Sequence, residues 1–199
     1  MIEIDVRFTK DKRIAVTHDK NLDRVFGVNI ELDQLSAIEF LALRHKAHPA
    51  FASHLFEDYL ASGVKPLLIH IKEDDVIEAL IALIEKYQYT DKVVFGVHNT
   101  ALANHIKKRD PAFKVLAFMP ELKDIDAFGA TDVDYIRLWE QWCSEENISR
   151  IRSYGKEVWI MTNGSDVGVT TVEALRKILS LKVDGILIND IECLIPLIN

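Results

Sequence analysis

At the start of the chain Ile2, Ile4 and Val6 alternate with Glu3, Asp5 and Arg7. Successive strand side chains point to opposite faces, so this run predicts a strand with one aliphatic and one charged face. A charged turn follows, and Ile14 to Thr17 predict a second short strand running straight into His18-Asp19. After a polar loop containing Gly27, helical spacing runs over 33–45 (Leu35, Ile38, Leu41, Ala42) and again over 50–61. Gly63 stops the second helix before an apolar strand, KPLLIHIKE. Residues 74–87 carry the strongest amphipathic stripe, through Val76, Ile77, Leu80, Ile81 and Ile84. Strand and helix then alternate to the end. The order is KVVFGV, a helix over 100–109, FKVLAFM, a loop, VDYIRLW, a helix over 144–154 ended by Gly155, and EVWIMTN. A helix over 171–181, VDGILIND and a short closing helix over 191–198 complete the series.

Near-continuous apolar strands, each followed by a helix, imply parallel strands covered by helices. A count of about eight strands favours an α/β fold of the TIM-type (β/α) barrel kind over an open doubly wound sheet. No glycine-rich phosphate loop or dinucleotide fingerprint follows any strand. No linker or break in composition divides the chain, so 1–199 is expected to be a single barrel domain.

Composition changes this picture little. The 199 residues are 49% hydrophobic and 28% charged, as in ordinary globular proteins. A net charge of −7 and the lack of a Lys/Arg run argue against a nucleic-acid partner. No apolar run is long enough to cross a bilayer, and the first residues are a strand with acids in it rather than a signal peptide. Cys143 and Cys193 form no metal-binding spacing and are expected to be buried thiols, which with the rest points to a cytoplasmic setting.

The candidate chemistry sits at strand ends, where a barrel of this kind keeps its site. Those ends offer Glu3 and Asp5, His18-Asp19, His70 and Lys72, Gly96 and His98, Thr162-Asn163, and Asp190. Two acids of one sign on one strand face repel each other, and burying them unpaired is costly. A bound cation relieves that, and so does pairing with Arg7 or a neighbouring lysine. Strand period two puts His70 and Lys72 on one face of LLIHIKE. Asp190 reads as structural, and His45, His48, His54 and His105 fall in surface sequence. Trp139, Trp142 and Trp159 read as packing residues.

The run IEIDVRFTKDKRIAVTHDKNLDR resembles the glycerophosphodiester phosphodiesterase family, whose pattern is E-x-D-V, a T-K-D-x turn, V-x-H-D and then L-D-R. LLIHIKE stands where that family has its E-I-K strand, SYGKEVWIMTN is similar to its G-x-x-V-x-x-W-T strand, and VDGILIND to its V-D-G-I-x-T-D end. The resemblance implies a TIM barrel related to phosphatidylinositol-specific phospholipase C. It implies a hydrolase of lipid metabolism that cleaves a glycerophosphodiester, a small-molecule substrate, to an alcohol and glycerol 3-phosphate. Carried over by residue, Glu3 and Asp5 become metal ligands, His18 a general acid/base and Lys72 the phosphate-binding cation. The implied cofactor is a divalent metal ion, Ca or Mg.

The departures are specific. The family's H-R-G strand end and E-N-T loop precede the point where this chain starts. The third metal carboxylate is replaced by His70, which as an imidazole ligand shifts the expected ion towards Zn or Mn. VVFGVHNTALANHIKKRDP stands where the family has a strand ending in Ser-Phe, so that Ser-Phe becomes Val97-His98 and makes His98 an accessory candidate, and Trp-Thr becomes Met161-Thr162. A barrel without its first strand has open edges, so three expectations stand side by side. A partner subunit in a homo-oligomer covers the edge, the barrel is modified at its N-terminal strand, or the gene start lies further upstream. Two functions are expected accordingly: a divergent metal-dependent phosphodiesterase, or a non-catalytic barrel that binds a phosphorylated ligand or a protein partner.

Overall fold

The computed structural model describes residues 1–198. Internal contacts divide it into two compact units, Met1–Gly96 and Val97 onward.

The first unit opens with β1 (Ile2–Phe8) and β2 (Ile14–Val16). A run of short elements follows: α1 (Asp23–Phe26), a 3-10 turn, α2 (Ala37–Leu41) and α3 (Phe56–Ser62). Next come β3 (Leu67–Ile71), α4 (Ile77–Lys86) and β4 (Val93–Val97). β2 pairs antiparallel with β1, whereas β3 pairs parallel with both β1 and β4. Every β3 residue except His70 is buried, as expected of a parallel strand covered on both faces. α4 buries Ile77, Leu80, Ile81 and Ile84, the stripe its spacing predicts. The short elements share a satellite core of Ala15, Leu22, Leu32, Ala37, Phe40 and Leu55.

The helices expected over 33–45 and 50–61 are much shorter than their apolar spacing predicts. Ser36 and Glu39 cap α2 reciprocally, fixing its start, and the chain leaves helical geometry after Leu41. An Arg44–Ala52 bridge then folds the segment containing Pro49 back on itself. α3 begins only at Phe56, where the Asp58 side chain accepts from the Leu55 N–H.

The second unit alternates α5 (Thr100–Arg109), β5 (Lys114–Ala117), α6 (Ile125–Gly129), β6 (Tyr135–Trp139) and α7 (Glu145–Ser153). β7 (Glu157–Met161), α8 (Val172–Ser180), β8 (Gly185–Leu187) and α9 (Ile195–Ile198) follow. β5, β6, β7 and β8 pair in that order, all parallel. Ile136, Leu138, Val158 and Ile160 make one fully buried sheet face. Tyr135, Arg137, Trp139, Trp159 and Met161 occupy the other, because paired residues of parallel strands share a face.

Candidate metal centre

β1 and β3 lie in register with Glu3 opposite Leu68 and Asp5 opposite His70. Strand period two therefore brings Glu3, Asp5 and His70 to one face, and Lys72, one residue past β3, joins them. Ligand atoms of Glu3, Asp5 and His70 all lie within 4.8 Å of one another. His70 Nδ1 is 3.1 Å from Asp5 Oδ1 and 3.8 Å from Glu3 Oε1, and Lys72 Nζ is 3.0 Å from Asp5 Oδ1.

The electrostatics of the two acids diverge. Burial, reinforced by the charge of Asp5, pushes Glu3 up to about 7 against the pull of Lys72. Burial would raise Asp5 too, but His70 and Lys72 outweigh it and hold Asp5 below its usual range. Asp5 Oδ1 is shut off from solvent, and its two close neighbours are not aligned as hydrogen-bond donors to it. Two carboxylates and an imidazole around one point, with an orphaned buried oxygen and a destabilised second acid, fit a divalent cation.

Arg7, on the same strand face as the two acids, does not relieve them. Its Nη1 donates to Glu73 Oε1 at 2.8 Å and its Nε to the His18 carbonyl at 2.9 Å. Lys72 pairs with Asp5, not with Glu3 as the strand pattern equally allowed. Arg7 thus ties β1 to the segment after β3 and to the segment carrying His18. That histidine is exposed, with Nδ1 2.7 Å from Asp19 Oδ1. Arg24 Nε donates to the other Asp19 oxygen at 2.5 Å, and this bond with the one from His18 pulls Asp19 down to about 2. An ionised carboxylate beside Nδ1 favours the tautomer that carries its proton there, with Nε2 the unprotonated nitrogen.

The model of the Glycerophosphoryl diester phosphodiesterase family matches residues 1–90. A glycerophosphodiester phosphodiesterase of Caldanaerobacter subterraneus subsp. tengcongensis is 30% identical over 127 residues, 57% of this chain and 52% of its own length. Human lysophospholipase D GDPD1 is 26% identical over 130 residues, 58% of this chain and 41% of its own. The chain thus spans about half the length of the curated relatives it matches, or less. The crystal structure of a glycerophosphodiester phosphodiesterase from Thermotoga maritima covers 98% of this chain and 84% of its own, with a TM-score of 0.76 at 19% identity. The chain resembles the glycerophosphodiester phosphodiesterases. The fold class is accordingly α/β, of the TIM-type (β/α) barrel kind. Glu3, Asp5, His18, His70 and Lys72 all fall inside the segment that the family's model matches. Among the described residues no helix is long and apolar enough to cross a membrane.

The remaining candidates lie in the second unit. His98 Nε2 is 3.3 Å from the side-chain nitrogen of Asn99, the residue that caps α5. Thr162 is buried and donates to the Leu187 carbonyl. Asp190 accepts from the Glu192 N–H and the Cys193 thiol, the structural part expected of it. Cys143 and Cys193 are half-buried free thiols, not the buried ones expected, because Cys143 closes a short 3-10 segment beyond β6 and Cys193 ends one beyond β8.

Sequence reasoning gave Arg137 no part. It lies at the centre of β6, is 4% exposed, and its guanidinium stacks 4.0 Å from the Trp139 ring centre and 5.3 Å from that of Phe118. Among the described residues its one hydrogen bond is a long 3.5 Å contact from Nη2 to the Met119 carbonyl, while Nε and Nη1 are buried without partners. Stacking on an aromatic ring is worth about 2 kcal/mol even when desolvated. Burying an unpaired ion costs several kcal/mol, so the rings do not balance it. An arginine interrupting the apolar run Tyr-Ile-Arg-Leu-Trp was the signal available in the sequence.

Proposed function

We propose that this chain is a divergent member of the glycerophosphodiester phosphodiesterase family, hydrolysing a glycerophosphodiester to an alcohol and glycerol 3-phosphate. The observation that carries the reading is the meeting of Glu3, Asp5, His70 and Lys72 on one face of β1 and β3, inside the family-matching segment. Glu3, Asp5 and His70 would hold a divalent ion, and a mixed oxygen and nitrogen donor set favours Mn or Zn over Ca or Mg. Bound there, the ion would neutralise the phosphodiester and polarise its oxygens. Lys72 supplies a compact positive charge for a phosphate oxygen. His18, oriented through Nδ1 by Asp19, presents Nε2 for proton transfer to or from a substrate oxygen. Arg7 positions the His18 segment through its carbonyl. His98 stays an accessory candidate for a second proton-transfer role.

One observation favours the non-catalytic alternative. Lys72 and His70 already offset Asp5 without an ion, which suits a barrel that binds a phosphorylated ligand and turns nothing over. Hydrolysis of a glycerophosphodiester panel with added Mn, Zn, Mg or Ca, and with chelator, separates the two. Metal-dependent turnover lost in Glu3→Ala supports the hydrolase. Phosphate binding that persists in excess chelator, with no turnover under any metal, supports the binding protein.

A further inference from the structure

Arg137 is a buried cation that the proposed hydrolysis leaves without a task. Among the described residues one N–H on Nε and two on Nη1 find no acceptor, and the single hydrogen bond is long. Burial alone accounts for the fall of its pKa to about 10, with no carboxylate close enough to offset it, yet it remains charged at neutral pH. Beside it, on the same face and in direct register across β7, stands Trp159. The Trp159 indole N–H is also buried and unpartnered. That indole is fixed from two sides. The Tyr135 ring lies 5.0 Å away, and Gly185 leaves the space that a Cβ would close, since one built there falls 2.7 Å from the indole.

Two adjacent strands therefore carry an unpaired positive charge and unpaired N–H donors on one face, with no acceptor for them among the described residues. A buried water can satisfy a donor but leaves the charge unanswered, whereas an anion answers both. Planar guanidinium is the side chain best shaped for a carboxylate or phosphate edge. We infer that the β6–β7 face of the second unit binds a small oxyanion, the phosphate or carboxylate group of a small molecule, through the Arg137 guanidinium with the Trp159 indole N–H as a second donor. This site uses none of the residues proposed to hold the metal, and it does not depend on hydrolysis.

The composition offers a direct readout, because Trp139, Trp142 and Trp159, the chain's only tryptophans, all belong to the second unit. Tryptophan emission of the whole chain is followed while inorganic phosphate or acetate is added, in chelator and at constant ionic strength, with chloride as the reference. The expected result is a saturable change with phosphate or acetate, retained in Glu3→Ala and lost in Arg137→Met. The anion that saturates identifies the group recognised. Replacing an unpaired buried cation by an apolar side chain of similar length is neutral or stabilising, so Arg137→Met is expected to fold. Should it not, Arg137→Lys keeps the charge without the planar fork and is expected to raise the half-saturation concentration by roughly tenfold or more. No saturable response to either anion beyond chloride overturns the inference. So does a wild-type response in the folded Arg137→Met protein, or in Arg137→Lys where that is the variant measured. Neither outcome touches the proposed hydrolysis, which is read by turnover.

Discussion

Asp134 sits between two ammonium groups, Lys107 Nζ and Lys114 Nζ, each 2.7 Å from one of its oxygens, and it also accepts from the Val115 N–H. Burial alone would raise its pKa, but these donors outweigh burial and hold it below the ordinary 3.8. A carboxylate depressed in the folded state stabilises above its unfolded pKa, and that stability is lost as pH falls through the folded one. Asp134→Asn is therefore expected to cost about 1.5–3 kcal/mol at pH 7, with the difference from wild type shrinking below about pH 4. Urea unfolding at pH 7 and pH 3 checks this, and a pH-independent difference contradicts it. At the proposed metal centre, Lys72→Met is expected to raise KM for a phosphodiester by roughly tenfold or more while leaving Mn binding intact. An unchanged KM would remove Lys72 from phosphate binding. The meeting of Glu3, Asp5, His70 and Lys72 was legible in the sequence, because strand parity fixes which side chains share a face. The choice of partners was not: Arg7 turned to Glu73, a residue 66 positions away. Nor did the sequence reveal the isolation of Arg137, which depends on which neighbours fail to reach it.

The long elements followed their periodicity and the short ones did not. α4 and the apolar strands bury most of their length, so their patterns are strong. α1 buries no residue at all and left no stripe to read, and α6 spans five residues in a segment expected to be loop. The capped start of α2 is testable: the Ser36 hydroxyl accepts from the Glu39 N–H, and Ser36→Ala is expected to cost about 1 kcal/mol, measured by thermal unfolding. Between β7 and β8 the constraint is steric. Gly185→Ala places a methyl group against the Trp159 indole, with an expected cost of about 1–3 kcal/mol and a shift in tryptophan emission. Wild-type stability and emission in that variant would mean that the indole has room the structure does not show.

At the scale of the molecule, the likeness to solved structures runs through 98% of the chain, whereas the family's sequence model matches residues 1–90. The alternation of apolar strands and helices can be written with many side chains, so the fold persists where identities do not. The chemistry depends on a few identities, and the candidate ligands Glu3, Asp5 and His70 lie in the part that is matched. His70 is the decisive one, since an imidazole there fits a metal centre of altered preference as well as an ion pair with Asp5 that needs no metal. Glycerol 3-phosphate release from a small glycerophosphodiester panel tests metal-dependent hydrolysis at this site directly. Wild type and Glu3→Ala are compared in Mn, Zn, Mg, Ca and chelator. Turnover is expected in wild type, abolished by chelator, restored best by Mn or Zn and absent from Glu3→Ala. Turnover by Glu3→Ala equal to wild type, or none from the folded protein with any of the four ions, would contradict metal-dependent hydrolysis here.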